Sequence, residues 1–176
     1  MRKIYILLNL VCILSLIACQ ENAKKTGTSS EKTEINTKNK ETSTVGFKDN
    51  QTETDFKYYL ALQEQLVAGQ AEKSNAIAKE YIQNAINKDT EVFEIYQSIT
   101  KANDIESIRE NFLKLSIVLE QEIDKQLNSG TIYKINCPMA FNNGGGFWFS
   151  KSEEVLNPYF GDKMLRCGSV MATLKK

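Results

Sequence analysis

Histidine is absent from this chain of 176 residues, and proline occurs only twice. Without histidine the chain lacks the usual general base and the commonest protein ligand of Zn²⁺ and Cu(II). The four cysteines form no CxxC pair, which is the usual signature of a thiol oxidoreductase. A Ser/His/Asp hydrolase, a histidine-activated thiol enzyme and an ordinary zinc site are therefore excluded, and we do not expect an enzyme.

The chain also has no excess of charge of either sign. Lys and Arg number 22 and Asp and Glu number 22, so the formal net charge is 0 at pH 7. Removal of a leader that contains Arg2 and Lys3 but no acid would leave a net charge of −2. Nucleic acid binding calls for a concentrated basic patch, which this sequence does not contain, so we exclude nucleic acid as a partner.

The first 18 residues predict a signal peptide. Arg2 and Lys3 precede an apolar run from Ile4 to Ile17, which is shorter than the ~20 residues of a transmembrane helix. Leu16-Ile17-Ala18-Cys19 resembles a bacterial lipobox, in which the leader is cut before a cysteine that is then acylated, for example with palmitate. An ordinary leader with a chance cysteine is the alternative. We predict a lipoprotein anchored through Cys19 outside the inner membrane, in the periplasm or at the outer membrane.

Residues 19–53 predict a disordered tether behind the lipidated cysteine. The segment is rich in Lys, Glu, Thr, Ser and Asn, and its few apolar residues follow neither a helical nor a strand period. Such a composition cannot bury enough apolar surface to offset the entropy that folding costs. The folded domain is therefore expected to occupy residues 54–176.

A helical period of apolar residues runs from Asp55 to Asn128 and predicts four helices. The expected buried positions are Phe56, Tyr59, Leu60, Leu66 and Val67 in the first helix, Ile77, Ala78, Tyr81, Ile82, Ala85 and Ile86 in the second, Val92, Phe93, Tyr96 and Ile99 in the third, and Ile105, Ile108, Phe112, Leu115, Leu119, Ile123 and Leu127 in the fourth. Asp89 or Thr90 would cap the third helix and Asp104 the fourth, which ends before Gly130. Short connections indicate an antiparallel bundle.

The pattern changes after Gly130. The segments 131–136 and 147–149 are β-prone, and Asn142, Asn143 and three glycines between them suit a turn with positive backbone angles, so we predict a β-hairpin. Ser150 with Glu153 suggests a short helical turn, and Asn157-Pro158 suggests a second short helix that ends near Cys167. The predicted fold class is mainly α: about four antiparallel helices, then a small β-hairpin and short helices.

Sulfur is concentrated in this C-terminal tail. If Cys12 is lost with the leader and Cys19 is lipidated, Cys137 and Cys167 are the only remaining thiols, and all three mature methionines lie in the same tail. Cys137 and Met139 are expected on one side of an extended segment, and Met164 and Cys167 on one face of a helical turn. Two thiolates and two thioethers favour Cu(I) or Ag(I). The alternative is a Cys137–Cys167 disulfide, the usual state of paired cysteines in an oxidising compartment.

The tail motifs resemble a bacterial family, domain of unknown function 3347, over residues 55–174. The motifs that carry the resemblance are Cys137-Pro138-Met139-Ala140, Asn157-Pro158-Tyr159-Phe160-Gly161-Asp162 and Met164-Leu165-Arg166-Cys167-Gly168. This family is seen in secreted lipoproteins and in some copper and silver efflux proteins, so the resemblance implies copper handling, with metal efflux or metallochaperone proteins as partners. Cys137-Pro138-Met139 is also similar to the CPMH motif of short heavy-metal-binding modules. Ala140 replaces the histidine of that motif, so one expected ligand is missing.

The residues and the resemblance together predict a membrane-anchored lipoprotein that binds a soft metal ion, with Cu(I) as the first candidate. The expected ligands are Cys137, Met139, Met164 and Cys167. The alternative function is a disulfide-stapled interaction domain that binds no metal.

Overall fold

The computed structural model describes residues 44–176, so the predicted signal peptide and Cys19 lie outside the described range. Four long helices occupy about half of these residues: α1 (Asn50–Val67), α2 (Ala71–Asn84), α3 (Glu91–Lys101) and α4 (Ile105–Gln126). Five short strands accompany them: β1 (Gly46–Phe47), β2 (Leu127–Ser129), β3 (Thr131–Cys137), β4 (Gly146–Ser150) and β5 (Ser169–Lys175). The protein is mainly α with small antiparallel sheets, as the sequence predicted.

Side chains at the N-terminal ends of three helices explain where those helices begin. Asp49 caps α1, Thr90 caps α3 and Asp104 caps α4, and each accepts a hydrogen bond from a backbone N–H of the first turn. Such a bond satisfies a donor that has no partner inside the helix. The caps predicted at Thr90 and Asp104 are confirmed.

The helices contact one another in a closed order, because α1 packs on α2, α2 on α3, α3 on α4, and α4 on α1. Their shared interior is aromatic, and Tyr59 stacks on Phe112 at 4.5 Å between ring centroids while Tyr81 stacks on Tyr96 at 3.9 Å. Most of the predicted core positions are buried here. Six predicted positions are only partly buried: Leu60, Val67, Ile77, Ile82, Ala85 and Ile105. Ile86 is exposed, because α2 ends at Asn84.

The larger sheet has the order β4-β3-β5, with β3 antiparallel to both neighbours. Ile135 and Trp148 are opposite each other in the β3–β4 pair, and Asn136 and Ser169 are opposite each other in the β3–β5 pair. The strand β5 was not predicted. Its residues are almost all exposed, so it carries no buried-face alternation for a sequence pattern to reveal.

One connection joins the helices to this sheet inside the core. The Tyr59 hydroxyl on α1 lies 2.7 Å from Ser116 Oγ on α4 and accepts a hydrogen bond from the Phe149 N–H of β4 at 3.1 Å. All three residues are fully buried. A single hydroxyl therefore joins two helices to one edge of the sheet.

The folded region begins earlier than the predicted boundary at residue 54. β1 pairs with β2, the Lys48 N–H donates to Gln126 O at 2.9 Å, and α1 begins at Asn50. The composition of residues 44–53 did suggest a tether, but a distant strand satisfies the β1 backbone and Asp49 caps the first helix. Predicted tether residues before Thr44 lie outside the described range.

Two predicted short helices are wrong. Residues 151–154 form bends, and only Gly161–Lys163 forms a 3-10 turn in the segment that was predicted to be helical up to Cys167. The Gly161 N–H does donate to Asn157 O at 3.0 Å, so a single turn forms after the Asn-Pro pair. The positive φ of Gly161 then takes the chain out of a helical path.

The turn between β3 and β4 is left-handed. Phe141, Asn142 and Asn143 have φ of 52°, 56° and 67°, and Gly145 follows with φ of 81°. Asparagine and glycine tolerate this region, whereas a phenylalanine there costs about 1–2 kcal/mol. Phe141 nevertheless packs on Tyr159, with 5.0 Å between ring centroids, and this contact offsets part of the strain.

Candidate functional site

Cys137 and Cys167 lie side by side, although 30 residues separate them in the chain. Their Sγ atoms are 2.8 Å apart, and the two thiols are not joined in a disulfide. We call these two residues the cysteine pair. The sequence predicted that they would meet, and the structure brings them together.

Cys137 is the inner member of the cysteine pair. It is the last residue of β3, lies opposite Gly146 of β4 and has 0% of its surface exposed. A Cβ atom on Gly146 would lie 2.9 Å from the Tyr159 ring and 3.0 Å from the Phe141 ring. The strand partner of Cys137 is therefore a glycine that leaves room for the Tyr159 and Phe141 rings.

Two hydrogen bonds, one from the backbone N–H of Cys167 and one to its carbonyl, hold this residue in place. Its N–H donates to Met164 O at 3.0 Å, and its carbonyl accepts a bond from Asn157 Nδ2 at 2.8 Å. Asn157 is fully buried, and its Oδ1 accepts the Tyr159 N–H at 2.8 Å. One buried amide thus fixes both the turn that follows Asn157 and the segment that carries Cys167.

The chain beyond Cys167 passes closely over β3. Gly168 has a φ of +141°, and a Cβ atom there would lie 3.0 Å from both Asn136 O and the Trp148 ring. Trp148 is fully buried and packs edge-on against Tyr159. The tryptophan is therefore a core residue, packed close to the glycine that follows Cys167.

A buried arginine attaches the same loop to the helices. Arg109 on α4 donates from Nε to Pro158 O at 3.0 Å and forms an ion pair with Glu106 at 2.9 Å. A Cβ on Gly161 would lie 3.2 Å from the Arg109 Nη2 atom and 3.0 Å from Val67 O. The loop that bears Cys167 is thus fixed both to the sheet and to α1 and α4.

The methionines are arranged differently from the cysteines. Met139 is 47% exposed and Met164 is partly exposed, and neither belongs to the core or to the apolar side chains packed on it. β3 ends at Cys137, so the extended segment that was expected to keep Cys137 and Met139 on one side is not formed. Met164 and Cys167 do share a turn, through the backbone bond between them.

Hydrogen bonding within the cysteine pair affects its acidity. The hydrogen bond with Cys137 raises the pKa of the Cys167 thiol, and burial and the charge of Cys137 add to the increase. Tyr159, next to the pair, has a pKa well above its usual value, chiefly because it is buried. Without a ligand, the Cys167 thiol therefore keeps its proton at neutral pH.

The separation of the two sulfurs lies between the distance in a disulfide and the distance between two thiolates on one metal ion. A disulfide bond is ~2.05 Å long, whereas two thiolates on a tetrahedral ion, with bonds of ~2.3 Å, lie about 3.8 Å apart. The observed 2.8 Å is within about 1 Å of both values. Across residues 44–176, no three His, Cys, Asp or Glu side chains form a group suited to a metal. A metal at the pair would need methionine or a partner to supply further ligands.

Comparison with known proteins assigns the chain to no family, because no family model, no curated protein and no solved structure matches it. The resemblance to domain of unknown function 3347 therefore stays a hypothesis that rests on the tail motifs. Within residues 44–176, no helix has the length and apolar character needed to cross a membrane.

Sequence reasoning missed the residues that hold the site in place. Asn157 was interpreted as a helix cap, but its amide also binds the Cys167 carbonyl ten residues further on. Arg109 was not singled out, because an arginine on a helix is usually a solvated residue. The Asn-Pro pair was the one signal that pointed towards Asn157.

Proposed function

We propose that this protein is a lipid-anchored envelope protein that binds a soft metal ion, with Cu(I) as the first candidate, in copper handling or efflux. The observation that carries the proposal is the 2.8 Å separation of two thiols in a chain without histidine. Nothing in the arrangement calls for catalysis, so we propose a binding protein and not an enzyme. Membership of domain of unknown function 3347 belongs to the same proposal.

Cys137 and Cys167 would hold the ion, and Met139 and Met164 would complete its ligands. Thiolate and thioether sulfur are soft ligands that select Cu(I) or Ag(I) over Zn²⁺. Met139 lies two residues beyond Cys137, and the Met164 carbonyl is bonded to the Cys167 N–H. Because both methionines lie outside the core, their flexible side chains can turn towards the cysteine pair without disrupting packed residues.

The metal titration uses the full chain with Cys12→Ser and Cys19→Ser, purified in detergent and fully reduced. We expect about one Cu(I) or Ag(I) per chain, with Zn²⁺ bound more weakly. Cys137→Ser or Cys167→Ser should nearly abolish binding, because a charged thiolate is lost. Met139→Leu or Met164→Leu should weaken binding by about tenfold, a loss of about 1.4 kcal/mol. Met171→Leu is the matched control, because Met171 lies on β5, and its affinity should stay unchanged.

Loss of Cu(I) from the reduced chain to a moderate competing chelator would overturn the metal proposal. Equal effects of Met139→Leu, Met164→Leu and Met171→Leu would show instead that the thioethers are not ligands.

A second candidate is the disulfide-stapled interaction domain. It is favoured by the position of the buried Cys137 beside Cys167, since two adjacent thiols in an oxidising compartment usually pair. Intact-mass measurement of protein taken from cells with its thiols blocked separates the two candidates. A permanent Cys137–Cys167 disulfide would lower the mass by two hydrogens, block alkylation at both sites and favour the second candidate.

The lipid on Cys19 would anchor the protein in the membrane. Metal efflux or metallochaperone proteins are the proposed protein partners. The anchor is supported by the lipobox-like Leu16-Ile17-Ala18-Cys19. Cys19→Ser should move the protein from the membrane fraction to the soluble fraction. Retention of the serine variant after detergent-free washing would contradict the lipid anchor.

A further inference from the structure

We propose that Cys167 is the exchanging thiol of the cysteine pair, where external thiols and disulfides react, and that Cys137 is the resolving thiol. The inference rests on the pair described under the proposed function, but it requires no metal. It assigns a reaction partner, a dithiol or a disulfide, and an order of reaction to two residues that are otherwise equivalent ligands.

The first observation is the unequal access to the two sulfurs. Cys137 is completely buried at the end of β3, opposite Gly146, against which the Tyr159 and Phe141 rings pack closely. Cys167 is partly exposed and follows the exposed Arg166. A reagent in solution therefore reaches Cys167 before it reaches Cys137, because the rate of thiol exchange depends on access as well as on thiolate character.

The second observation is that both cysteines are fixed at the positions from which they can react with each other. Cys137 is held by its place opposite Gly146 in the sheet, and Cys167 by backbone bonds to Met164 and Asn157. The Sγ atoms are already 2.8 Å apart. Once Cys167 carries an external group, Cys137 is the nearest thiol and can displace that group without a rearrangement of the backbone.

Oxidation then proceeds in two balanced steps. The Cys167 thiolate attacks one sulfur of an external disulfide, forms a mixed disulfide and releases the first external thiolate. The Cys137 thiolate then attacks Cys167 Sγ, which forms the internal disulfide and releases the second external thiolate. Two electrons pass from the pair to the external disulfide, which becomes two thiols.

Reduction is the reverse and needs a dithiol as co-reactant. One thiolate of the dithiol attacks Cys167 Sγ, the internal bond breaks, and Cys137 leaves with the electron pair. The second thiolate of the dithiol then displaces Cys167 and closes into a disulfide. The exposed sulfur is again the point of attack, and reduction regenerates the two thiols proposed to hold the metal.

The test exposes the reduced full chain with Cys12→Ser and Cys19→Ser, the chain also used for the metal titration, to oxidised glutathione and identifies each modified cysteine by peptide-mapping mass spectrometry. Cys137→Ser should accumulate a stable glutathione adduct on Cys167, because no resolving thiol remains. In Cys167→Ser, the adduct on Cys137 should form at least about tenfold more slowly than the adduct on Cys167 forms in Cys137→Ser. The chain that retains both Cys137 and Cys167 should form the internal disulfide and keep almost no adduct. Equal adduct rates on the two cysteines would overturn the proposal.

A second measurement does not require that a Cys137 or Cys167 variant folds. A short pulse of iodoacetamide on the reduced, unsubstituted chain should label Cys167 well before Cys137, and the same pulse after denaturation should label both equally. Faster labelling of Cys137 would also overturn the proposal. Metal binding is tested on the same preparations: Cu(I) retention with equal labelling contradicts only the exchange order, whereas ordered labelling without Cu(I) retention contradicts only the metal function.

Discussion

The four helices and the β3–β4–β5 sheet are stabilised in different ways. Three of the four helices begin at local side-chain caps, and α4 is capped at Asp104 by contacts only three residues away. The sheet region depends on distant partners, since β3 pairs with the last strand of the chain and Asn157 bonds to Cys167. The helices therefore depend mainly on local signals, while the sheet region, which shares their core, sets the geometry of the cysteine pair.

The largest expected effect breaks the helical side of this comparison. Leu115 has none of its surface exposed, so Leu115→Asp would bury an unpaired charge at a cost of several kcal/mol, on the order of the whole stability. Thermal denaturation followed by circular dichroism should show an unfolded protein.

The matched control is Ile117→Asp, two residues away on the same helix, where the side chain is 54% exposed. This variant should fold with a stability within about 0.5 kcal/mol of the unsubstituted chain. An equal loss of stability in the two variants would show that burial does not distinguish these two sides of α4.

A smaller effect is expected from a substitution that disturbs the sheet region and leaves the helices folded. Gly168→Ala places a Cβ atom 3.0 Å from Asn136 O at a φ of +141°, with an expected cost of about 2–4 kcal/mol. The helical signal should remain, while Cys137 becomes accessible to alkylation because the segment that carries Cys167 lifts from β3.

Gly69→Ala is the control for this change. Gly69 also has a positive φ but nothing lies within 4 Å of its Cβ position, so the cost should be about 1 kcal/mol with Cys137 still protected. If both alanine variants expose Cys137 alike, close packing at Gly168 does not hold the pair.

The smallest expected effect concerns the connection between the regions. Tyr59→Phe removes the hydroxyl shared by Ser116 and the Phe149 N–H and leaves both groups buried without it, at a cost of about 1–3 kcal/mol. Chemical denaturation measures this loss.

Tyr58→Phe, which removes a hydroxyl that donates to Glu80 at 3.2 Å in a partly buried site, should cost less, about 0.5 kcal/mol. A Tyr59→Phe variant as stable as Tyr58→Phe would show that the buried hydroxyl does not couple helices and sheet.

The same difference between regions explains what the sequence could predict. The apolar stripe of α4 and its Asp104 cap can be predicted from residue spacing alone. The residues that form each pattern follow one another within one or two helical turns. The meeting of Cys137 and Cys167 was predicted from the concentration of sulfur in one tail. The neighbouring Met139 was placed incorrectly, since the end of β3 at Cys137 depends on where β4 stops pairing.

Long-range pairing is the information that the sequence pattern did not contain. β5 is exposed along its length and is defined by its bonds to β3, so its residues alone show no strand signal. The function of Asn157 likewise depends on a carbonyl ten residues away. Local rules predict the capping role of such a residue but not the distant group that it holds.

The order of the two cysteines in the chain has a consequence during biosynthesis. Cys137 precedes Cys167 by 30 residues, so at ~5–20 residues per second it is made about 2–6 s before its partner. β5, which completes the sheet around Cys137, consists of residues 169–175 and is made last of all. A newly made chain therefore presents Cys137 as a single, uncovered thiol before the pair can exist. The residue that is least accessible in the finished protein is therefore the first of the two to be made and the one that waits longest for its partner.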